Sequence, residues 1–434
     1  MYEFVNYVVR ILKKIVPESV VRPLRPFYHH GLSFLMALFY GFPSRRLVVI
    51  GVTGTKGKST VCEMLFRTLR HDSEDKVALL STIRFAIEDD SEPNLYKMTL
   101  PARGFAQAFM RKALDAGCKY MLIELTSEAQ LQYRTLHLAL DGLVVTNIQK
   151  EHIERHGSFE KYVAAKRAIV AELERSPKKH RILVANADNE WTKEFLNARV
   201  TEAIGFSEKE LTDLEQTDYE VSFTYSGKDT FPPSGTRILV HMPGVFTAMN
   251  ALATIKMAEA LGLAPWVPGI ALRFLDTVPG RLERIDMGQD FLVVVDYAHT
   301  PDSLQALYGA FPNRRKICVL GNTGGGRDIW KRPEMGRIAD EECEKVILTN
   351  EDPYDESPQA IVEAMARGMK RVPEIIMDRR EAIRAALCAA RSGDAVLISG
   401  KGTDPFIMGA RGTRLPWSDA KVVSEELGRL LSKI

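Results

Sequence analysis

Residues 51–60 read GVTGTKGKST and follow the apolar run LVVIG at 47–51. A short apolar run of this kind predicts a buried strand, and residues 59–69 carry the spacing of a helix. A glycine-rich turn between strand and helix is the setting of a phosphate loop. Gly54 and Gly57 let backbone N–H groups turn toward an anion with no Cβ in the way. The helix N-terminus adds a favourable dipole. In this frame Lys58 reaches the β- and γ-phosphates, and the Ser59 hydroxyl serves Mg²⁺. Gly54, Thr55, Lys56, Gly57, Lys58, Ser59 and Thr60 are therefore the ATP-binding candidates of this stretch. Gly51 stands one residue too early for the G-x-x-x-x-G-K-[ST] spacing. Alone, the loop predicts a nucleoside-triphosphate site and specifies no reaction.

Outward from the loop, strands and helices alternate. YMLIEL at 120–125, LVVTN at 143–147 and RILVAN at 181–186 read as buried strands, and 159–173 as a helix. Such alternation predicts an α/β fold with a mostly parallel sheet. Between 201 and 241 short alternating segments suggest a small antiparallel addition, followed by a helix over 248–261. Val278, Pro279 and Gly280 mark a hinge. After it the alternation resumes, with strands at 291–296, 316–320, 345–349 and 395–399. The expected organisation is a short basic and apolar segment (1–45), a central P-loop, Rossmann-like ATP-binding domain (46–278) and a C-terminal Rossmann-like α/β domain (279–434). The antiparallel addition lies near 201–243.

The chain has 434 residues and a formal net charge of +2, so nothing in the balance demands a nucleic-acid partner. The cysteines at 62, 118, 318, 343 and 388 form no C-x-x-C pair. Buried free thiols in a reducing cytoplasm are expected, not a zinc site or a disulfide framework. GLSFLMALFYGF at 31–42 is too short to span a bilayer. With Arg10, Lys13, Lys14, Arg22 and Arg25 before it, two readings stay open. One is a helical cap docked on the next domain; the other is an interfacial helix at an anionic membrane face.

Several later segments carry a family resemblance. ELTSE at 124–128, TNIQKEH at 146–152, HG at 156–157 and YVAAK at 162–166 resemble successive motifs of the Mur ligase superfamily. So do MNA at 249–251, PGR at 279–281, DYAHTP at 296–301, GGGRD at 324–328, KRPEMG at 331–336 and GKG at 400–402. The last four are most similar to the branch that adds the third residue of the peptidoglycan stem peptide. The resemblance spans about residues 47–434.

It implies an ATP-dependent ligase: a substrate carboxylate takes the γ-phosphate of ATP, and an amino acid's amine then attacks the acyl phosphate. Implied catalytic residues are Lys58, His152, Lys166 and Arg281. Implied Mg²⁺ ligands at two sites are Ser59, Glu124, His152 and Lys166, the last carbamylated by CO₂. Asn250, Arg281, Asp296 and His299 would complete the ATP site. Thr99, Pro101 and Ser127 would contact the donor, a peptidoglycan precursor. Arg327, Asp352, Tyr354, Asp355, Lys401 and Asp404 would contact the acceptor. Tyr354 stands where the family has an arginine that pairs with the distal carboxylate of diaminopimelate. With Asp355 and Glu356 beside it, an acidic pocket favouring lysine or ornithine is expected. The roughly 45 residues before the loop are fewer than the family's uridine-nucleotide domain, which motivates a lipid-linked donor. A cytoplasmic monomer is expected, with a peripheral membrane contact under the second reading of the N-terminus. The alternatives are a folylpolyglutamate or poly-γ-glutamate type ligase and, from another class, a non-catalytic nucleotide-binding scaffold.

Overall fold

A computed structural model describes residues 18–72, 75–151, 153–227 and 235–432. Two parallel-rich sheets organise them. The first contains β1 (Val48–Thr53), β2 (Lys76–Leu80), β3 (Arg84–Ile87), β4 (Asp90–Pro93), β5 (Cys118–Glu124), β6 (Gly142–Val145), β7 (Ile182–Asn186) and β8 (Glu202–Phe206). Their order is β4-β3-β2-β5-β1-β6-β7-β8. All pairings are parallel except β2–β3 and β3–β4.

Side chains of β1 alternate across this sheet. Ile50 and Val52 pack with Val61, Met64 and Leu65 of the helix Lys58–Asp72. Val49 packs on the other face with Phe109 and Ile169, from helices Phe105–Asp115 and Phe159–Glu174. Burial on both faces explains why the central strands read as unbroken apolar runs.

The small antiparallel sheet is β9 (Thr212–Gln216), β10 (Val221–Tyr225) and β11 (Thr236–Val240). The segment 201–206, grouped with it in the sequence, instead extends the main sheet: β8 pairs parallel with β7. β8 is an edge strand buried only at its end, so it lacks the unbroken apolar run that marks the central strands.

The second large sheet holds β12 (Glu283–Arg284), β13 (Leu292–Asp296), β14 (Lys316–Leu320), β15 (Lys345–Leu348), β16 (Glu374–Ile375) and β17 (Ala395–Ser399), in the order β12-β13-β17-β14-β15-β16. A two-stranded hairpin of β18 (Phe406–Met408) and β19 (Arg414–Pro416) follows.

The cysteine expectation is corrected here. Cys318 and Cys343 form a disulfide, Cα atoms 6.2 Å apart. Cys318 lies in β14, and Cys343 ends the helix Lys331–Glu342 that packs back beside it, a proximity hidden by a separation of 25 residues. Cys62 and Cys118 are buried free thiols, whereas Cys388 is free and exposed.

The helix Glu18–Phe39 docks on the central unit through buried His29, Ser33, Met36 and Ala37, one face at helical spacing. Ser33 donates to the Leu136 carbonyl at 3.3 Å. The other face leaves Phe34, Leu35, Leu38 and Phe39 between 44% and 58% exposed. Among the described residues no helix is long and apolar enough to cross a membrane.

Candidate active site

The phosphate loop leaves β1 at the sheet's centre, where β5 and β6 flank it. Gly54 and Gly57 adopt φ of 142° and 81°. Gly51 does not belong to this turn. It lies within β1, and a Cβ there would come 2.7 Å from Leu125 Cδ1. Its lack of a side chain serves strand packing, which accounts for the irregular spacing.

Neighbouring strand ends hold the loop rigidly. The Thr55 amide donates to the Asn147 carbonyl at 2.8 Å, and the Lys56 amide to Asn147 Oδ1 at 3.0 Å. Thr55 Oγ1 lies 2.8 Å from the Tyr162 hydroxyl. Lys58 folds back and donates to the Thr55 carbonyl at 2.8 Å. Burial lowers its pKa, with Glu124 and Glu151 opposing. Asn250, on the helix Val245–Ala260, faces Gly57 so closely that a Cβ there would strike its amide oxygen.

Ser59 Oγ donates to Glu124 Oε2 at 2.9 Å, and the Thr82 amide donates to the same oxygen at 2.9 Å. A hydroxyl and a buried carboxylate at a phosphate loop are hard oxygen donors that fit Mg²⁺. Lys166 is 1% exposed and donates to Thr53 Oγ1 at 3.1 Å and the Gly54 carbonyl at 2.8 Å. Burial and nearby Lys58 push its pKa well down. His152 lies outside the described residues. Among those described, no group of three or more His, Cys, Asp or Glu is placed to hold a metal.

The C-terminal unit closes over this loop. Glu151 Oε1 receives Lys56 Nζ at 3.1 Å and lies 3.0 Å from His299 Nε2. Burial, with Lys56 beside it, pushes the His299 pKa down to about 4, while the contact with Glu151 opposes this. Arg281 stacks on the Tyr297 ring at 4.5 Å. Asp296 accepts from the Leu282 and Ala298 amides, each at 2.7 Å, so it also fixes the backbone that aims Arg281.

One cavity of about 900 Å³ joins these groups to Thr99, Ser127, Arg327, Asp352, Tyr354 and Asp404. Pro101, Asp355 and Lys401 do not line it. Asp355 is exposed and accepts the Arg411 amide at 2.7 Å. Lys401 is fully buried behind Asp352, at 2.8 Å. The acidity expected around Tyr354 is partly offset by nearby cations. Asp352 pairs with Lys97 and Lys401, and Glu356 with Arg332. Asp352 and Glu356 thus already have cations, and neutralisation across chain segments cannot be read from one acidic stretch. The cavity also exposes guanidinium groups: Arg327 stacks on Tyr354 at 4.8 Å and Arg414 on Phe406 at 5.7 Å. Sequence reasoning missed Lys97 and Arg414, neither of which stands in a recognised motif.

Residues 52–258 match the Mur ligase middle domain, and 280–402 match the family described as Mur ligase, glutamate ligase domain. The UDP-N-acetylmuramyl-tripeptide synthetase of Roseiflexus sp. (strain RS-1) is 35% identical over 426 residues, covering 92% of this chain and 82% of its own length. A UDP-N-acetylmuramoyl-L-alanyl-D-glutamate–2,6-diaminopimelate ligase from Syntrophomonas wolfei is 32% identical over 405 residues, covering 92% and 81%. A solved structure of a ligase with that same name has a TM-score of 0.61 at 25% identity, covering 89% of this chain and 79% of its own. Folylpolyglutamate synthase from Mycobacterium tuberculosis, in complex with ADP, shares the fold at a TM-score of 0.69 but only 17% identity, covering 92% and 94%. The chain belongs to the Mur ligase family and is, like its members, an ATP- and Mg²⁺-dependent ligase.

Proposed function

We propose that this enzyme adds an amino acid to a muramoyl-dipeptide-type peptidoglycan precursor, acting as a cytoplasmic monomer. The observation that carries it is the cavity running from Lys58 and Ser59 to Arg327 and Tyr354. The donor's terminal carboxylate oxygen attacks the γ-phosphorus of ATP. The bond to the bridging oxygen breaks, ADP leaves and an acyl phosphate forms. The acceptor's neutral amine attacks the acyl carbon, the C–O bond to phosphate breaks, and the amine's proton passes to solvent. Two anions meet in the first step, so cations must be concentrated there. Lys58 and Arg281 supply them; Ser59 and Glu124 would hold Mg²⁺, which would supply charge neutralisation on the phosphates.

Lys166 is the proposed carbamate. Burial favours its neutral amine, which can attack CO₂, lose a proton and become an anion able to support a second Mg²⁺. His152 is the other proposed ligand there. For the acceptor, the cavity-lining guanidinium groups of Arg327 and Arg414 favour an amino acid with two carboxylates over lysine or ornithine. The relatives named as diaminopimelate ligases point the same way.

The deciding experiment measures phosphate release with muramoyl dipeptide against meso-diaminopimelate, L-lysine and L-ornithine. Turnover is expected with diaminopimelate first, and its loss in Lys58→Ala. Turnover only with a folate and glutamate would overturn the reading in favour of the folylpolyglutamate type. No turnover with any pair would favour the scaffold.

A membrane contact is a second, separable proposal. It rests on Phe34, Leu35, Leu38 and Phe39, which stay exposed on the docked N-terminal helix, with exposed Arg45 and Arg46 just beyond it. We infer that this face sits on anionic lipid. The full chain should float with phosphatidylglycerol vesicles and not with phosphatidylcholine vesicles. Leu35→Ser with Leu38→Ser should abolish flotation without changing phosphate release. Equal flotation of the variant would sink the proposal.

A further inference from the structure

One basic side chain in the cleft is used by neither the phosphate chemistry nor any motif. Lys97 lies in the loop after β4, two residues before Thr99, with φ of 55°. Its ammonium crosses to the C-terminal unit and stands 2.6 Å from Asp352 Oδ2 and 2.7 Å from Asp404 Oδ2. Lys401 bonds the same two carboxylates, at 2.8 Å and 3.0 Å. Together the four groups make a neutral set.

The two lysines are not equivalent. Lys401 belongs to the same unit as the carboxylates, is 0% exposed and also donates to the Phe406 carbonyl at 2.6 Å. It is a fixed part of the site. Lys97 arrives on a loop of the other unit and keeps 18% exposure, at the wall of the cavity. With Lys97 withdrawn, two carboxylates share one lysine, and the pair faces the cavity with a net negative charge. Asp404 Oδ1 is buried without a hydrogen-bond partner, so an accepting atom is available there. A carboxylate pair in this state binds an ammonium group, and an amino acid brings one.

We propose that Lys97 is a tethered stand-in for the acceptor's second, non-reacting ammonium, filling the Asp352–Asp404 pair until the incoming amino acid displaces it. The proposal rests on the amino-acid acceptor inferred above and adds how its subsite is kept. Displacement also releases the loop that leads to Thr99 on the donor side, so acceptor entry and donor-side loop movement are coupled. The opposite role, a clamp that holds the acceptor, predicts opposite signs in every measurement below.

Amide hydrogen exchange on the full chain provides a readout that needs no turnover. Saturating meso-diaminopimelate, or separately L-lysine, should raise exchange in the peptide covering 95–99. In Lys97→Met the same peptide should exchange fast already and should not respond. Slower or unchanged exchange in the wild type with both amino acids overturns the proposal. In kinetics, Lys97→Met should lower the acceptor KM at least threefold with the ATP KM unchanged, and Lys97→Arg should restore it. A raised acceptor KM in Lys97→Met overturns the proposal as well. Absence of phosphate release by the wild type would count against the ligase substrates instead, leaving the exchange result to judge Lys97.

Discussion

Lys166 carries a positive charge poorly where it stands. Water is excluded, Lys58 is close, and its two hydrogen-bond partners, Thr53 Oγ1 and the Gly54 carbonyl, accept from a neutral amine as readily as from an ammonium. That environment is the physical support for the carbamate reading. Lys166→Ala is expected to lose at least 100-fold in kcat, about 2.7 kcal/mol of transition-state stabilisation. Added short-chain carboxylic acids should restore part of it, and phosphate release would report this directly. Turnover unchanged by the substitution would end the carbamate role. At this scale the sequence showed the loop, Lys58 and Ser59, because a phosphate loop is local. It did not show why Gly51 is a glycine, since Leu125, just past β5, and Leu143, in β6, whose side chains close over it, lie far away in the chain. Lys97 was invisible for the same reason: its partners lie more than 250 residues away.

Among the elements, the helix pair Arg379–Ala389 and Asp419–Leu431 is joined by Glu426, which bonds Arg384 at 2.7 Å, Arg380 at 2.7 Å and Arg429 at 2.8 Å. Hydrogen bonding to Arg384 leads in holding its pKa down to about 2, with burial opposing. The folded value lies below the ordinary 4.5, so this stabilisation is complete above pH 4.5 and is lost as pH falls toward 2. Glu426→Gln should cost about 2 kcal/mol in urea unfolding at pH 7. The gap to wild type should stay level down to about pH 4.5 and narrow at pH 3.5. A gap independent of pH would show that charge is not its origin. Strands were the most legible elements: 316–320 and 395–399 were predicted to the residue. The short strands β12, β16, β18 and β19 were not, because two or three residues carry no period.

For the whole molecule, the two nucleotide-facing units meet through Glu151, which touches Lys56 of the loop and His299 of the C-terminal unit. Glu151→Ala should lower kcat about tenfold, roughly 1.4 kcal/mol, while changing the ATP KM less than threefold. A large change in ATP KM with kcat intact would mean that Glu151 serves the loop alone. The alternation of strands and helices revealed both α/β units from sequence. Their closure was not legible, since it depends on single contacts between distant segments.

The phosphate loop's position at the centre of the first sheet also sets when the protein can bind anything. Ser59 meets Glu124 across 65 residues, Thr55 meets Gln149 across 94, and Lys166 meets Thr53 across 113. Contacts of such sequence separation form only after costly loop closure, so assembly of β5, β1 and β6 belongs to the slow part of folding. ATP therefore recognises only a nearly finished chain and stabilises it by mass action. During refolding, recovery of nucleotide binding should trail the recovery of helical signal, and ATP should slow unfolding more than it speeds folding.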